Sequence, residues 1–214
     1  MKLYYSTGTC STACHIALEE IGQGFAQNCS MIEVSWDREL NVAELDKLNP
    51  QGAVPVLVMD DGRTLTQSAA ILEVLADMNP ASHLLAERGT GERNEALSWL
   101  AFVSADFQKA FSLVFQASHI SSSESVQAEI KKFAVGKIQD LLEVIDKGLT
   151  GKSYIVGKQF TIADAYLFTI LGWTKWIEVD TRGYKNIPSY MKRVFDRPAV
   201  QRVLTKEDML DYLP

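Results

Sequence analysis

Ser6-Thr7-Gly8-Thr9-Cys10-Ser11-Thr12-Ala13-Cys14-His15 joins an apolar strand to a helix through a thiol-bearing turn. Met1 to Tyr5 before it reads as a short apolar strand. Behind it, the spacing of Ala13, Ile16, Ala17 and Leu18 predicts a helix over 12–21. Gly8 and the hydroxyl residues supply the turn and the cap between the two. A cysteine at a strand-to-helix junction sits among helix amides and the positive end of the dipole. Such a site favours the thiolate, so Cys10 is expected to have a lowered pKa. The same residues also fit a capped helix with a small side chain near its start, and on this stretch alone both readings stand.

The totals narrow the classes. A chain of 214 residues suits one large domain or two small ones, and 47% hydrophobic with 22% charged residues is ordinary for a globular protein. The net charge of −6 argues against nucleic acid and anionic membranes as partners. Three cysteines, Cys10, Cys14 and Cys29, are too few and too irregular for a disulfide framework. No CxxC occurs and His15, His83 and His119 are scattered, so no metal site is expected. The opening residues lack the apolar run of a secretory signal. The apolar stretch around 162–173 is broken by Asp164 and Gly172 and is too short to span a bilayer. These features lead to the expectation of a cytoplasmic chain.

Outward from the opening stretch, Gly22 and Gly24 stop the first helix, and rough alternation predicts a strand over 27–34. A short helix is predicted over 42–48, closed by Asn49-Pro50-Gln51-Gly52. A strand over 53–59 follows, headed by Pro55. Asp60-Asp61-Gly62-Arg63 is a hairpin turn, Thr64-Leu65 starts the return, and an apolar helix is predicted over 69–78. Helical crossovers suit parallel strands early in this order, and the tight turn suits an antiparallel pair at its end.

These residues add up to a family. The chain resembles the cytosolic glutathione transferases, and among them the bacterial beta class. Four motifs carry the resemblance, in the family's order: the Met1-Lys2-Leu3 start running to Cys10-Ser11, Asn49-Pro50-x-Gly52-x-Val54-Pro55-Val56-Leu57, Leu65-Thr66-Gln67-Ser68-x-Ala70-Ile71, and Phe160-Thr161-Ile162-Ala163-Asp164-Ala165-Tyr166. The resemblance implies an α/β thioredoxin-like domain over 1–80, a linker over 81–91, and an all-α domain over 92–214 lining an electrophile pocket. It implies a homodimer, a role in detoxification, no cofactor, and glutathione as co-substrate with a small electrophile.

The implied site follows residue by residue. Val54–Pro55 falls where the family has a cis proline, with the Val54 main chain pairing with the tripeptide as an added strand would. Gln67 and Ser68, at a helix start, suit the γ-glutamyl carboxylate. Arg38 is the candidate cation for the glycine carboxylate, though a solvated surface arginine is the simpler reading. Cys10 lies opposite the glutathione sulfur, where it helps hold the thiolate for conjugation. As a rival it exchanges disulfides as a glutathione-dependent reductase. A third reading is a non-catalytic carrier of apolar ligands. Tyr5 and Ser11 are nearby hydroxyls that can assist, with Tyr5 read first as a packing residue. Cys14, Cys29 and His15 are read as structural.

The remaining sequence is helical. One long helix is predicted over 92–118, apolar around much of its girth, then another over 125–149. Thr161 to Asp164 is a capping box opening a buried helix to Trp173, and short helices are predicted over 188–195 and 199–206. Inside the first long helix the beta class often carries His-Lys, and here the pair reads Gln108-Lys109. Gln108 can donate a hydrogen bond but cannot carry a proton charge near neutrality. Asp106 is expected to share the same cleft. Phe107, Phe111 and Trp173 or Trp176 are candidate pocket walls, although such aromatics more often belong to the core, and they are not counted as site residues.

Overall fold

The computed structural model describes residues 1–211; the last three positions of the predicted helical domain, 212–214, lie outside the described residues. The chain opens β1 (Lys2–Tyr5), α1 (Ser11–Ile21), α2 (Gln23–Ala26), β2 (Ser30–Glu33), α3 (Val42–Leu48), β3 (Val56–Val58), β4 (Thr64–Thr66) and α4 (Ser68–Met78). The sheet order is β2-β1-β3-β4, with β1 and β2 parallel and the other two pairs antiparallel. A crossover through α1 is what a parallel pair requires, and the turn at Gly62 (φ +84°) is enough for the antiparallel one.

Strand alternation sends neighbouring residues to opposite faces. Leu3 pairs with Leu57 and Tyr4 with Val56. Leu3 and Leu57 join the large core that carries α1 and α4. Tyr4 and Val56 join a small cluster with Val34 and Leu45 under α3. A shift of one residue in register would exchange the two sets, so this burial fixes the pairing.

Two details differ from the sequence reading. Gly22 (φ +128°) ends α1 as expected, yet the chain coils once more as α2 before β2, because Phe25 and Ala26 donate back to the carbonyl of Gly22 and Gln27 to that of Gln23. The third strand begins at Val56 and not at Ala53. Pro55 has no N–H to give a ladder, and the Val54–Pro55 peptide is cis, as the resemblance implied.

The helical part runs α5 (Gly91–Phe102), a π-helical turn (Val103–Phe107), α6 (Gln108–Phe115), α7 (Ala117–Ile120), α8 (Glu124–Gly148), α9 (Ile162–Gly172), α10 (Ile187–Phe195) and α11 (Pro198–Lys206). The single helix predicted over 92–118 is therefore interrupted. A π turn inserts an extra residue and changes the direction in which everything after it points. Every residue of α9 is buried, which suits a helix apolar on all sides and places it at the centre. Its capping box forms as predicted: the Asp164 carboxylate accepts from Thr161 N at 2.9 Å, and it also accepts from Ile155 N at 2.8 Å. Burial pushes the Asp164 carboxyl up to about 6 despite these donors.

The two parts share one core, in which Ile16, Ile71 and Leu72 meet Phe107, Leu167 and Phe168. Polar contacts reinforce the junction. Arg93 of α5 is buried and bonds Glu73 and Asp77 of α4, at 2.7 Å and 2.8 Å, which holds the Asp77 carboxyl down at about 2. From α11, Arg202 and Lys206 reach Glu19 of α1. Among the described residues no helix is long and apolar enough to cross a membrane.

The tightest junction is at Gly8. Its carbonyl accepts from Trp173 Nε1 at 2.8 Å and its N–H donates to the Glu207 carboxylate at 3.1 Å. The same carboxylate accepts from Thr12 Oγ1 at 2.7 Å and from His15 Nδ1 at 2.8 Å. Gly8 has φ +71°, and a Cβ there would lie 2.8 Å from the Trp176 ring. Gly8→Ala should therefore destabilise the fold by about 1–2 kcal/mol from the backbone alone. Urea denaturation would measure it, and an unchanged midpoint would mean that this turn tolerates an L side chain.

Candidate functional site

The β1–α1 turn holds itself together before it meets anything else. Ser6 O accepts from Thr9 N, Thr9 Oγ1 and Ser11 Oγ, and Ser11 Oγ accepts from Ser6 N at 3.0 Å. Thr9 Oγ1 takes the amide of Ser11, an otherwise unpaired helix-start donor. The Cys10 thiol is left facing a cleft between the two parts of the molecule, of about 470 Å³.

Three other segments build that cleft. The first is the turn before β3. Asn49 braces it through Nδ2 to Ala53 O at 2.7 Å and accepts from Gln51 N at 3.1 Å, so Val54 and Pro55 are presented at the sheet edge. The second is the start of α4. Gln67 takes φ +73°, Ser68 Oγ donates to Cys10 O at 3.3 Å, and Gln67 Nε2 reaches Gln51 Oε1 at 3.4 Å. The third wall comes from the helical part, where the π turn and α6 bring Ser104, Gln108 and Lys109, and α9 brings Tyr166. The Tyr166 hydroxyl donates to Gln108 Oε1.

The structure thus brings together Cys10, Val54, Pro55, Gln67, Ser68, Gln108 and Lys109. Four other candidates stand outside the cleft lining. Tyr5 is half-buried, its ring tilted against His15 with centroids 5.6 Å apart. Ser11 is buried inside its own turn. Arg38 is exposed and bonded to Glu33 and Ser35. Asp106 is exposed on the π turn. Phe107 and Phe111 are fully buried, so the core reading holds for them. Their row continues through Phe115 and Trp173 to Trp176; Phe115 and Trp176 are exposed, and Trp176 lies against the Gly8 turn.

Asn49, Gln51, Ser104 and Tyr166 line the cleft without having been singled out. Asn49 carried a signal, since an Asn two residues before an amide it can accept from is an Asx turn. Ser104 carried none, because its position depends on the π turn. Tyr166 reads as core by periodicity and is almost wholly buried, with only its hydroxyl at the cleft.

The electrostatics of Cys10 correct the expectation of a lowered pKa. Burial pushes the thiol above its ordinary value; the hydrogen bonds from Ser68 and Gln108 pull it down, but by less. With the thiol protonated, its sulfur donates to Val54 O at 3.6 Å. Cys14 is fully buried and pushed up further, first by burial and then by the neighbouring Cys10. Cys14 and Cys29 are core residues with free thiols. His15 gains a partner that the sequence did not suggest, Glu207 from the far end of the chain. Among the described residues no group of three His, Cys, Asp or Glu side chains can hold a metal ion.

A four-stranded mixed sheet carrying a thiol at the start of its first helix, joined to a helical bundle across a polar cleft, defines a two-domain, thiol-handling class. Known proteins narrow it. The profile "Glutathione S-transferase, N-terminal domain" matches residues 7–78, and "Glutathione S-transferase, C-terminal domain" matches residues 99–198. The chain is 34% identical to glutathione S-transferase GstA of Escherichia coli O157:H7, over 98% of this chain and 100% of that one. It superposes on the bacterial beta class glutathione S-transferase of Sphingomonas chungbukensis with a TM-score of 0.86 at 36% identity, covering 98% of this chain and 100% of that chain. A sphingomonad glutathione S-transferase complexed with glutathione gives 0.84 at 34% identity, again over 98% and 100%. The chain belongs to the glutathione S-transferase family.

The titration of Cys10 is directly measurable. The rate of Cys10 alkylation by iodoacetamide, followed by mass mapping against pH, should have a midpoint above that of a free cysteine. Cys14 should stay unmodified until the protein unfolds. A Cys10 midpoint below the ordinary value would restore the thiolate reading.

Proposed function

We propose that this chain is a glutathione transferase that uses the Cys10 cleft to hold glutathione for attack on small electrophiles. One observation carries the reading: the thiol, the Val54–Pro55 edge and the start of α4 converge on a single cleft. Val54 offers main-chain pairing to an extended tripeptide. Ser68 and the unpaired amides of the first turn of α4 suit the γ-glutamyl carboxylate, with Gln67 beside them. Lys109, on the opposite wall, is the cation for the glycine end, a role for which Arg38 is poorly placed because it is bonded elsewhere.

A protonated Cys10 also bears on the choice between conjugation and disulfide exchange. Exchange needs the Cys10 thiolate as nucleophile. A Cys10 thiol kept protonated by burial serves instead as a donor to the glutathione sulfur, stabilising that sulfur as thiolate. In conjugation the glutathione S–H proton passes to water and the thiolate attacks an electron-poor carbon. The S–C bond forms while the leaving group departs with its bonding pair. The exposed faces of Phe115 and of Trp176, the latter against the Gly8 turn, supply an apolar surface for the electrophile. The reading includes glutathione as the only co-substrate, a detoxifying role in the cytoplasm, and a homodimer that covers the partly exposed Leu97, Trp99 and Phe102. Sedimentation at the monomer mass would remove the dimer from it.

Conjugation of a halonitrobenzene with glutathione tests the activity. Ser68→Ala should weaken glutathione binding by about 1 kcal/mol or more, as for a lost hydrogen bond to a charged group, with the fold retained. Calorimetry showing no binding by the wild-type chain at millimolar glutathione would overturn the reading.

A further inference from the structure

Where the resemblance leads one to expect a histidine, Gln108 stands, and the structure gives this neutral side chain a fixed orientation. Its Oε1 accepts the hydroxyl proton of Tyr166. A side-chain amide has one acceptor end and one donor end, so an oxygen held by Tyr166 turns the –NH₂ the other way. On that side lies the cleft that Gln108 shares with Cys10, and Gln108 is one of the groups that pull the Cys10 thiol down. Tyr166 is itself packed on all sides but its hydroxyl. Its ring is buried in the fully buried helix α9, and its phenol is pushed above the ordinary value by burial first and by Cys10 second, so it remains a donor throughout the neutral range. Gln108 reaches this place because the π turn at Val103–Phe107 redirects the start of α6.

We infer that Tyr166 is a positioning residue that locks the Gln108 amide with its –NH₂ aimed at the Cys10 sulfur, so that two neutral side chains supply the donor that a histidine would otherwise give. The Tyr166 hydroxyl donates to Gln108 Oε1, and Gln108 Nε2–H donates to sulfur. No proton changes owner along this path, unlike a histidine relay. When Cys10 ionises, its proton goes to water and the amide stabilises the thiolate left behind. With the amide free to turn, Oε1 would face the sulfur half the time and repel that charge. The other groups near the sulfur leave this role to Gln108. Cys14, on the same helix, is a fully buried thiol, Ser68 on α4 is a second neutral donor, and Lys109 on α6 is the basic side chain of the cleft.

The inference concerns the Cys10 site of the proposed transferase, but its readout needs no glutathione, so it survives or fails independently of that activity. Tyr166→Phe keeps the ring in the core and removes only the hydroxyl. The midpoint of Cys10 alkylation against pH should rise by about half a unit or more, which is about threefold less thiolate at any pH below the midpoint. Gln108→Leu should raise it similarly. In the Gln108→Leu background, Tyr166→Phe should add nothing further, since the two act as one unit. Thermal melting of each variant separates these effects from unfolding. An unchanged profile in a folded Tyr166→Phe protein overturns the inference. An equal shift in the presence and absence of Gln108 also overturns it, because Tyr166 would then act on the thiol by another route.

Discussion

The buried carboxylate of Glu207 ties the C-terminal helices to the turn that carries the thiol. Glu207, just past α11, accepts from the Gly8 amide, the Thr12 hydroxyl and the His15 ring. These three donors come from one turn and the first coils of α1, where the helix dipole also favours a negative charge. A carboxylate without such partners would be costly to bury. With Trp173 Nε1 on the Gly8 carbonyl, the backbone on either side of Gly8 is held by the helical part. Cys10 lies between Gly8 and Thr12, so the thiol's position in the α/β part is dictated by residues nearly two hundred positions away.

That constraint explains why the site is a cleft between domains and not a groove on one of them. The α/β part alone would offer Cys10, the Val54 edge and the start of α4. The helical part closes the opposite side with Gln108, Lys109 and Tyr166. Closing the cleft desolvates the sulfur, and burial then outweighs the donors around it. The same packing that organises the site therefore keeps its thiol protonated. A helix start by itself would have favoured the thiolate, and the helix start is all that the local sequence displays.

Much of the fold was legible because it is written at short range. Val42–Leu48 is helical over the predicted residues, α4 and α8 begin one residue before their predicted starts, and the Thr161–Asp164 box caps α9 as expected. Each rests on apolar spacing and on a cap or turn within a few residues. The π turn was not legible, since a run such as Val103-Ser104-Ala105-Asp106-Phe107 has the composition of ordinary helix and its widening is enforced by neighbours. The brief coil of α2 was hidden by its glycines for a related reason: Gly22 ends one helix and the next four residues pack locally. Of the site, the cleft gathers those residues that sit at chain reversals, Cys10, Val54, Pro55, Gln67 and Ser68. Arg38, in a loop where no local pattern sets the direction of a side chain, and Asp106, placed by assuming an unbroken helix, lie outside the cleft.

By itself the sequence determined the order of strands and helices, the two-part division, the family, and the thiol at the first helix, because hydrophobic period, turn residues and motif spacing are properties of neighbouring positions. Only the tertiary structure decided the protonation of Cys10, the partner of His15 and the orientation of Gln108. Each of these depends on which distant group removes water from a polar atom or donates a hydrogen bond to it. Glu207 reaches His15 from across the domain junction, and Tyr166 reaches Gln108 from another helix of the same bundle, where no local pattern announces either.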